Sequence, residues 1–227
     1  MQGAIGGSTA LSALTVNSSG AGTVEINNIG TSSAAGVTGA TAIGNTNTGT
    51  LTLDGTVYTT NAATYTAATG GGNIDITGAA TFTTSADNIA FNTSGVDLGA
   101  NVAITTGTGT DAGTVSFGGA IEAGTAGQET LTIDSGAGNV TFTGAIGLTN
   151  ALGGLNVNAT SGDGAGTITF SNDIGDSSAG VKGTTAVGNS ATAGIVFSED
   201  TYTFDTGATT FTVCLLYTSP SPRDRYG

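Results

Sequence analysis

The strongest constraint on this sequence is that it repeats itself. Residues 144–158, GAIGLTNALGGLNVN, match residues 3–17, GAIGGSTALSALTVN, at nine of fifteen positions. Residues 180–192 match residues 36–48 at eight of thirteen positions. A chain this rich in Gly, Ala and Thr would match itself by chance at about one position in eight. The sequence is therefore a tandem repeat, and such sequences are typical of folds that grow by adding similar units.

The repeat is long relative to the chain. Gly3 aligns with Gly144, and after a short insertion near residues 159–163 Gly22 aligns with Gly166. We predict a repeat region over residues 1–213 with a unit of about 141–144 residues, the second copy starting near residue 142. Met1 aligns with Phe142 at an apolar position of the repeat. We therefore expect Met1 to be an internal residue and the chain to be a fragment of a longer array.

The composition changes abruptly at Cys214. Residues 214–227 hold the only Cys, both Pro and both Arg, whereas Lys182 is the one basic side chain before them. The eleven residues Cys214–Asp224 resemble a translated sequencing adapter, a contaminant of shotgun assemblies, which favours a metagenomic origin. We predict that residues 214–227 form a non-native or disordered tail and leave them out of the functional argument. A genuine Pro/Ser/Arg-rich tail is the alternative.

Short apolar-polar-apolar triplets, bounded by Gly, Asn, Asp or Ser, recur along residues 1–213. Alternation of apolar and polar residues, with β-branched and aromatic residues at the apolar positions, predicts β-strands. The triplets start at residues 14, 24, 51, 74, 96, 102, 115, 131, 140, 155, 168 and 195. Sharp glycine turns separate the triplets. We therefore predict an all-β fold, a parallel β-helix (β-solenoid) of stacked short strands. The solenoid should have roughly ten coils of about 21 residues each. Tandem β-sandwich modules and disorder are the alternatives.

Charge excludes two classes of partner. The formal net charge is −13, so phosphate groups of nucleic acids and of anionic membranes would be repelled. No apolar run reaches the length of about eighteen residues that a membrane span needs. We predict no nucleic-acid partner and no membrane insertion of this segment. The absence of Cys before Cys214 fits a secreted repeat protein that does not use disulfides.

Catalytic residue types are sparse. The sequence has no His, and the acidic residues Asp54, Asp75, Asp97 and Asp134 occur one per strand or turn. Only Glu199 and Asp200 are adjacent, and neighbours in a strand point to opposite faces. Enzymes that hydrolyse glycosidic bonds need two carboxylates close together. We therefore predict that the protein is not an enzyme and assign no catalytic residue.

No cofactor or metal ligand is predicted, and calcium remains the alternative. The stretches that could offer oxygen ligands to calcium are Ser161–Gly164 with Asp173 and Asp176, and Thr110–Asp111 with Gly113. Neither reproduces a known calcium-binding repeat, which favours plain Asx turns.

Two other motifs lack a clear ligand. Residues 70–72, a Gly triplet, have no following Lys and predict no phosphate loop. The aromatic residues Tyr58, Tyr65, Tyr202 and Phe211 could stack on sugars, but a core or edge stack repeated between the copies is favoured.

The stretches LTIDSGAGNVTFTGAIG, from Leu131, and LGGLNVNATSGDGAGTITFSNDIG, from Leu152, resemble repeats of very large bacterial surface proteins of the filamentous-haemagglutinin and autotransporter-passenger class. The resemblance implies a secreted adhesin stalk at the cell surface, whose partners are host or surface glycans and proteins or neighbouring copies of itself. No export domain of that class matches, so the export signal is expected outside this fragment. A β-helical polysaccharide-active enzyme and a self-assembling surface-layer or matrix protein are the alternative functions.

Overall fold

The computed structural model describes residues 3–17, 19–160, 166–205 and 207–214. Within these ranges the chain forms twenty β-strands and no helix, which confirms the all-β prediction, and so no helix that could span a membrane occurs there. The strands are β1 Leu14–Val16, β2 Gly22–Ile26, β3 Thr41–Gly44, β4 Thr48–Leu53, β5 Val57–Thr59, β6 Ala63–Thr66, β7 Asn73–Ile76, β8 Thr81–Thr83, β9 Ile89–Asn92, β10 Gly95–Leu98, β11 Val102–Gly107, β12 Val115–Phe117, β13 Ala120–Ala123, β14 Thr130–Ser135, β15 Val140–Phe142, β16 Gly154–Val157, β17 Thr167–Phe170, β18 Thr185–Val187, β19 Gly194–Phe197 and β20 Thr209–Phe211.

The strands form three parallel sheets that run along the axis of a solenoid. The first sheet has the order β1-β3-β6-β9-β12-β15-β17-β19, the second β2-β4-β7-β10-β13 and the third β5-β8-β11-β14-β16-β18-β20. All paired strands are parallel. The chain visits the three sheets in the same order on every turn. The predicted parallel β-helix is therefore confirmed, with three faces.

Isolated bridges extend two of the faces beyond the named strands. The second face continues through the parallel bridges that join Ile121, Ile146, Ile174 and Tyr202. The third face begins with the bridges that join Ile5, Ile29 and Tyr58. Each of the described coils therefore contributes to all three faces, even where a face is reduced to one bridged residue.

The number of turns differs from the prediction of roughly ten. The first sheet has eight strands, so the described chain makes about eight turns. Its aligned positions run from Leu14 through Thr41 and Ala63 to Ile195 in seven steps, which gives about 26 residues per turn. The predicted coil was too short because some strands carry Ala or Thr at inward positions and escaped the apolar pattern. At a strand spacing of about 4.8 Å, the eight turns make a rod about 38 Å long.

The tail prediction lies almost wholly outside the described residues. Of residues 214–227, the structure describes only Cys214, which is exposed and donates its backbone N–H to the Thr192 carbonyl oxygen at 2.9 Å. The predicted division into a repeat region, 1–213, and a non-native tail stays a prediction.

Inward side chains form a continuous apolar column. Strand β15 shows the pattern, with Val140 and Phe142 buried and Thr141 between them half-buried on the outer surface. In the first sheet, six aromatic rings stack from coil to coil with centroid distances of 4.8–5.6 Å, in the order Tyr65, Phe91, Phe117, Phe142, Phe170 and Phe197. Tyr58 and Phe82 stack beside them at 4.7 Å. The favoured prediction of a core stack is thus confirmed for Tyr58 and Tyr65, which are both fully buried.

The two buried tyrosines differ in the bonding of their hydroxyl groups. The Tyr58 hydroxyl accepts a hydrogen bond from the Gly55 N–H at 2.7 Å and donates one to the Ile26 carbonyl oxygen at 3.1 Å. The Tyr65 hydroxyl is buried and has no hydrogen-bond partner among the described residues. Burial raises the pKa of both tyrosines well above the ordinary value. Tyr65 therefore places an unsatisfied polar group in the core.

Exchanging each tyrosine for phenylalanine should give opposite effects. We expect Tyr65→Phe to raise the free energy of unfolding by about 1 kcal/mol, because it removes an unsatisfied buried hydroxyl and keeps the stacked ring. We expect Tyr58→Phe to lower it by about 1–3 kcal/mol, because the Gly55 N–H and the Ile26 carbonyl lose their partner. Urea unfolding followed by far-UV circular dichroism measures both. Equal destabilisation by the two changes would contradict the bonding described.

Asparagines at two different corners of the solenoid tie neighbouring coils together. The Asn189 side chain amide donates to the carbonyl oxygens of Asn158 and Thr160 at 2.8 and 3.0 Å, and its oxygen accepts from the Ala191 N–H at 2.7 Å. Asn45, the matching residue of the first copy, donates to the carbonyl oxygens of Asn17 and Gly20 at 2.6 and 2.8 Å and accepts from the Asn47 N–H. The matching residues Asn45 and Asn189 therefore make equivalent contacts to the preceding coil.

The sequence repeat and the turns of the solenoid are out of phase. Strand β1 lies in the first sheet, but β16, which matches it in the repeat, lies in the third. Likewise β2 lies in the second sheet and its match β17 lies in the first. Between two matching positions the chain completes five turns and then passes along two more faces of the solenoid. Matching positions are therefore about 27 Å apart along the solenoid axis. Matching surfaces of the two copies therefore face different sides of the rod.

Candidate functional site: an acidic row on the second sheet

Acidic side chains line up on the outer surface of the second sheet. The pairing register places Asp75 beside Asp97, and Asp97 beside Glu122, on three successive strands. The row continues through Thr52 to Glu25 on the strands below. Because the flanking residues of each strand point into the core, these side chains all point outward. We call Glu25, Thr52, Asp75, Asp97 and Glu122 the acidic row.

Hydrogen bonds hold the carboxylates of this row in place. The side chain amide of Asn73 donates to Asp75 Oδ1 at 2.7 Å and also to Asp97 Oδ2. Glu122 Oε2 accepts the Asn150 N–H at 2.7 Å. Both Glu122 oxygens also accept the Thr149 N–H, at 3.2 and 3.3 Å. Glu122 therefore anchors the loop of the next coil, and Asn73 bridges two coils.

The row is a concentrated negative charge on one face. Two carboxylates about 5 Å apart repel each other by about 1–3 kcal/mol at effective dielectric constants between those of water and a protein surface. The Asn73 amide and the backbone donors offset part of this repulsion. Asp75, Asp97 and Glu122 are half-buried hydrogen-bond acceptors on three successive strands. Such a line of negative charge is suited to binding cationic groups. Among the described residues, no three acidic, His or Cys side chains converge closely enough to hold a metal ion.

The sequence argument that the acidic residues are dispersed was therefore wrong for Asp75 and Asp97. One acidic residue per strand becomes a row when successive coils are in register. The other candidates do not join it. Asp54 is exposed and accepts from the Thr77 hydroxyl at 2.8 Å, and Asp134 lies on the third sheet. Glu199 and Asp200 lie in an exposed loop.

The two candidate calcium stretches show local turn bonding. Asp176 is exposed, and its Oδ1 accepts the Ser177 hydroxyl at 2.9 Å and the Ser178 N–H at 3.1 Å, which together lower the pKa of its carboxyl. Asp173 Oδ1 accepts the Thr201 N–H of the next coil at 3.3 Å. Asp111 bonds through its backbone to Thr108 and Ala137. Residues 161–164 of the first stretch lie outside the described residues.

The glycine triplet and the four candidate aromatic residues lie in different environments. Residues 70–72 turn directly into strand β7. Tyr58 and Tyr65 are buried in the core, so a sugar-stacking role for them is excluded, while Tyr202 is half-buried. Phe211 is 39% exposed because it belongs to the last described coil. The four aromatic residues therefore pack against other rings of the solenoid.

A shallow open groove lies on another face. Its volume is about 380 Å³, and Ala103 forms its floor between Thr81 and Thr132 of the neighbouring strands of the third sheet. Asn101, at its rim, accepts the Thr130 N–H at 2.8 Å through its side chain oxygen. No Asp or Glu lines the groove. The groove and the acidic row therefore lie on different sheets and do not form one site.

No protein-family model, no curated protein and no solved structure matches this chain.

Proposed function

We propose that this chain is a structural and adhesive repeat segment, an adhesin stalk, of a large secreted bacterial cell-surface protein, and that it has no catalytic activity. One observation carries the proposal: Asn45 and Asn189, which match in the sequence repeat, make equivalent contacts between coils. A unit whose contacts recur can be added many times, because each coil needs only its neighbours. Repeated copies of such a unit can form a long rod.

The phase of the repeat suits a stalk that binds through its sides. Each additional repeat lengthens the rod by about 27 Å. It also turns the repeated surface by two thirds of a turn, so that three repeats present the same surface on all three faces. A long stalk then offers the same weak contacts in every direction, and many weak contacts bind strongly together. The expected partners are glycans or proteins of host or environmental surfaces, outside the cell.

Bead adhesion tests this function. Beads coated with the full chain at increasing density should be retained on mucin-coated surfaces, and retention should rise more steeply than in proportion to density because binding is multivalent. Beads with an inert protein at equal density are the control. Retention equal to the control at every density, on mucin and on a panel of immobilised glycans and matrix proteins, would contradict the adhesive part.

The acidic row favours one second candidate, a polysaccharide-active enzyme. Neighbouring strands place the carboxylates of Asp75 and Asp97 at about the separation used by retaining glycosidases. However, the row lies on an open sheet surface, and the groove is on another sheet. The stalk proposal expects no release of reducing ends from polygalacturonate, chitin or hyaluronan by the full chain. Release that Asp97→Asn abolishes would establish the enzyme instead.

A further inference from the structure

We propose that two copies of the chain pack side by side through the outer surface of the first sheet and form a two-fold dimer of rods. The proposal goes beyond the stalk function, because it concerns contacts between separate chains. The surface runs along the side of the rod and does not involve its ends. We call the outward side chains of strands β1, β3, β6, β9, β12, β15, β17 and β19 the neutral face.

The neutral face differs from the other two faces in charge. Among the described residues, no strand of the first sheet contains a charged side chain. The second sheet carries the acidic row, and the third sheet carries Asp134 in β14. Asp87 and Glu199 lie at the rim of the neutral face, two residues outside β9 and β19. The neutral face is therefore an uncharged strip on a chain whose formal net charge is −13.

This distribution of charge favours a second copy of the chain as the partner. Two copies repel each other wherever their acidic faces approach, and this repulsion is smallest where the neutral faces meet. Depletion of charge at the centre, rather than high overall hydrophobicity, is what distinguishes protein interfaces from the rest of a surface. The neutral face has this property over every strand of the first sheet.

Short side chains let two such faces come close together. The central outward row carries small uncharged side chains, one per strand: Thr15, Ala42, Thr64, Ala90, Ser116, Thr141, Thr169 and Val196. Their methyl and hydroxyl groups recur at the strand spacing of about 4.8 Å. Because both copies have the same spacing, the side chains of one face can fit between those of the other, as they do where two sheets pack face to face.

The first sheet is regular enough for this contact to extend over several strands. Its described pairings contain no register shift, whereas one pairing of the second sheet and one of the third do. The six rings stacked behind it rotate by only 6–17° from coil to coil. Neighbouring strands of an ordinary sheet rotate by roughly 20–25°. The neutral face is therefore nearly flat.

The area of the neutral face sets the expected strength of the dimer. Eight strands span about 38 Å along the axis, and the five residues from Thr114 to Gly118 give a width of about 16 Å. Two faces would thus bury about 1,200 Å² in total, at the lower limit of stable specific interfaces. We expect a dimer that dissociates in the micromolar range. Because the same face is used by both copies, the contact is isologous and closes at two copies.

Two outward threonines provide the first test. Thr141 lies in the neutral face, and Thr132 lies on the outer surface of the third sheet. Sedimentation velocity of the full chain at about 5–500 µM, a range that brackets a micromolar Kd, should show a monomer–dimer equilibrium. The dimer fraction should increase with salt, which screens the repulsion between two acidic chains.

The same substitution at the two threonines separates the faces. Thr141→Glu should weaken the dimer at least tenfold, because it places a carboxylate in the uncharged contact. Thr132→Glu makes the same change of net charge and should dimerise like the parent chain. Both variants should keep the circular dichroism spectrum and Tm of the parent, since Glu122 already occupies an outward position on a strand of this solenoid.

Four results would overturn the proposal. The parent chain could remain monomeric at every concentration and salt, or it could form oligomers that grow beyond the dimer. Thr132→Glu could weaken the dimer as much as Thr141→Glu does. Finally, a monomeric parent chain could sediment with insoluble chitin or cellulose in a way that Thr141→Glu alone abolishes, in which case the neutral face binds a flat polysaccharide instead.

Cross-linking tests the two-fold arrangement, in a Cys214→Ser background. Ser116 lies on β12, one of the two central strands of the first sheet. Full overlap of two antiparallel neutral faces therefore brings the two Ser116 residues close to the two-fold axis, about 10 Å apart across the packed sheets. A bifunctional maleimide of this reach should join Ser116→Cys chains into dimers. Asn156→Cys, on the third sheet, should stay monomeric. Dimers of Asn156→Cys without dimers of Ser116→Cys would contradict the proposed face.

Discussion

Replacing Phe117 with alanine is expected to lower the free energy of unfolding by about 4 kcal/mol, near the top of the range for aromatic core truncations. Phe117 is 1% exposed and stacks on Phe91 at 4.8 Å and on Phe142 at 5.6 Å. Its loss leaves a cavity and interrupts the aromatic column at mid-height. The two coils on either side are also joined by backbone hydrogen bonds, so the cavity cannot collapse fully.

Urea unfolding of Phe117→Ala and of Ser116→Ala measures this effect. Ser116 neighbours Phe117 but points outward, so we expect its change to stay within about 0.5 kcal/mol. A cost below about 1 kcal/mol for Phe117→Ala would mean that the aromatic column does not support the rod.

Replacing Asn189 with alanine is expected to cost about 2–4 kcal/mol. Asn189 is 5% exposed, and its side chain serves the carbonyl oxygens of Asn158 and Thr160 and the Ala191 N–H. Alanine would leave these backbone groups without the side chain that now bonds them at a corner between coils. Because unsatisfied buried groups cost more than the bonds themselves contribute, the effect should exceed that of a surface asparagine.

The repeat supplies the control for this change. Asn47 is exposed, and the matching position of the second copy is Ala191. Asn47→Ala should therefore alter the free energy of unfolding by less than about 0.5 kcal/mol. Thermal unfolding followed by circular dichroism compares the two variants, and an equal shift of Tm would contradict the role given to Asn189.

Much of the fold could be predicted because the apolar triplets mark inward positions directly. All twelve predicted triplets lie in strands, for example Val115–Phe117 in β12 and Leu155–Val157 in β16. Several of the other strands have Ala or Thr at inward positions, as β3 and β18 do, so their pattern resembles a polar loop. Because these strands were not recognised in the sequence, the predicted number of residues per coil was too small.

One feature of the sequence does indicate the correct number of residues per coil. Four of the triplets end in phenylalanine, at Phe117, Phe142, Phe170 and Phe197. Each of these residues follows the previous one by one turn of the solenoid, and they stack in the structure. Phenylalanine at the same place in successive triplets therefore gives the period of the solenoid more reliably than the spacing of leucines.

The acidic row could not be predicted from the positions of its residues alone. Asp75, Asp97 and Glu122 are far apart in the sequence, and only the register between coils determines that they are neighbours. An error of one residue in the register would place one of them on the opposite side of the sheet. The contacts of Asn73 and Glu122 likewise depend on which coil lies above.

The central claim is that positions one coil apart in the sequence are neighbours along one face of a parallel solenoid. Spin labels at Ser116 and Thr169, in a Cys214→Ser background, test it by continuous-wave EPR. Both residues lie in one outward row with Thr141 between them, so the labelled positions should be about 10 Å apart and dipolar broadening should be strong. Labels at Ser116 and Asn156, on different sheets, should show little broadening. Absence of broadening for the first pair would contradict the stacked coils.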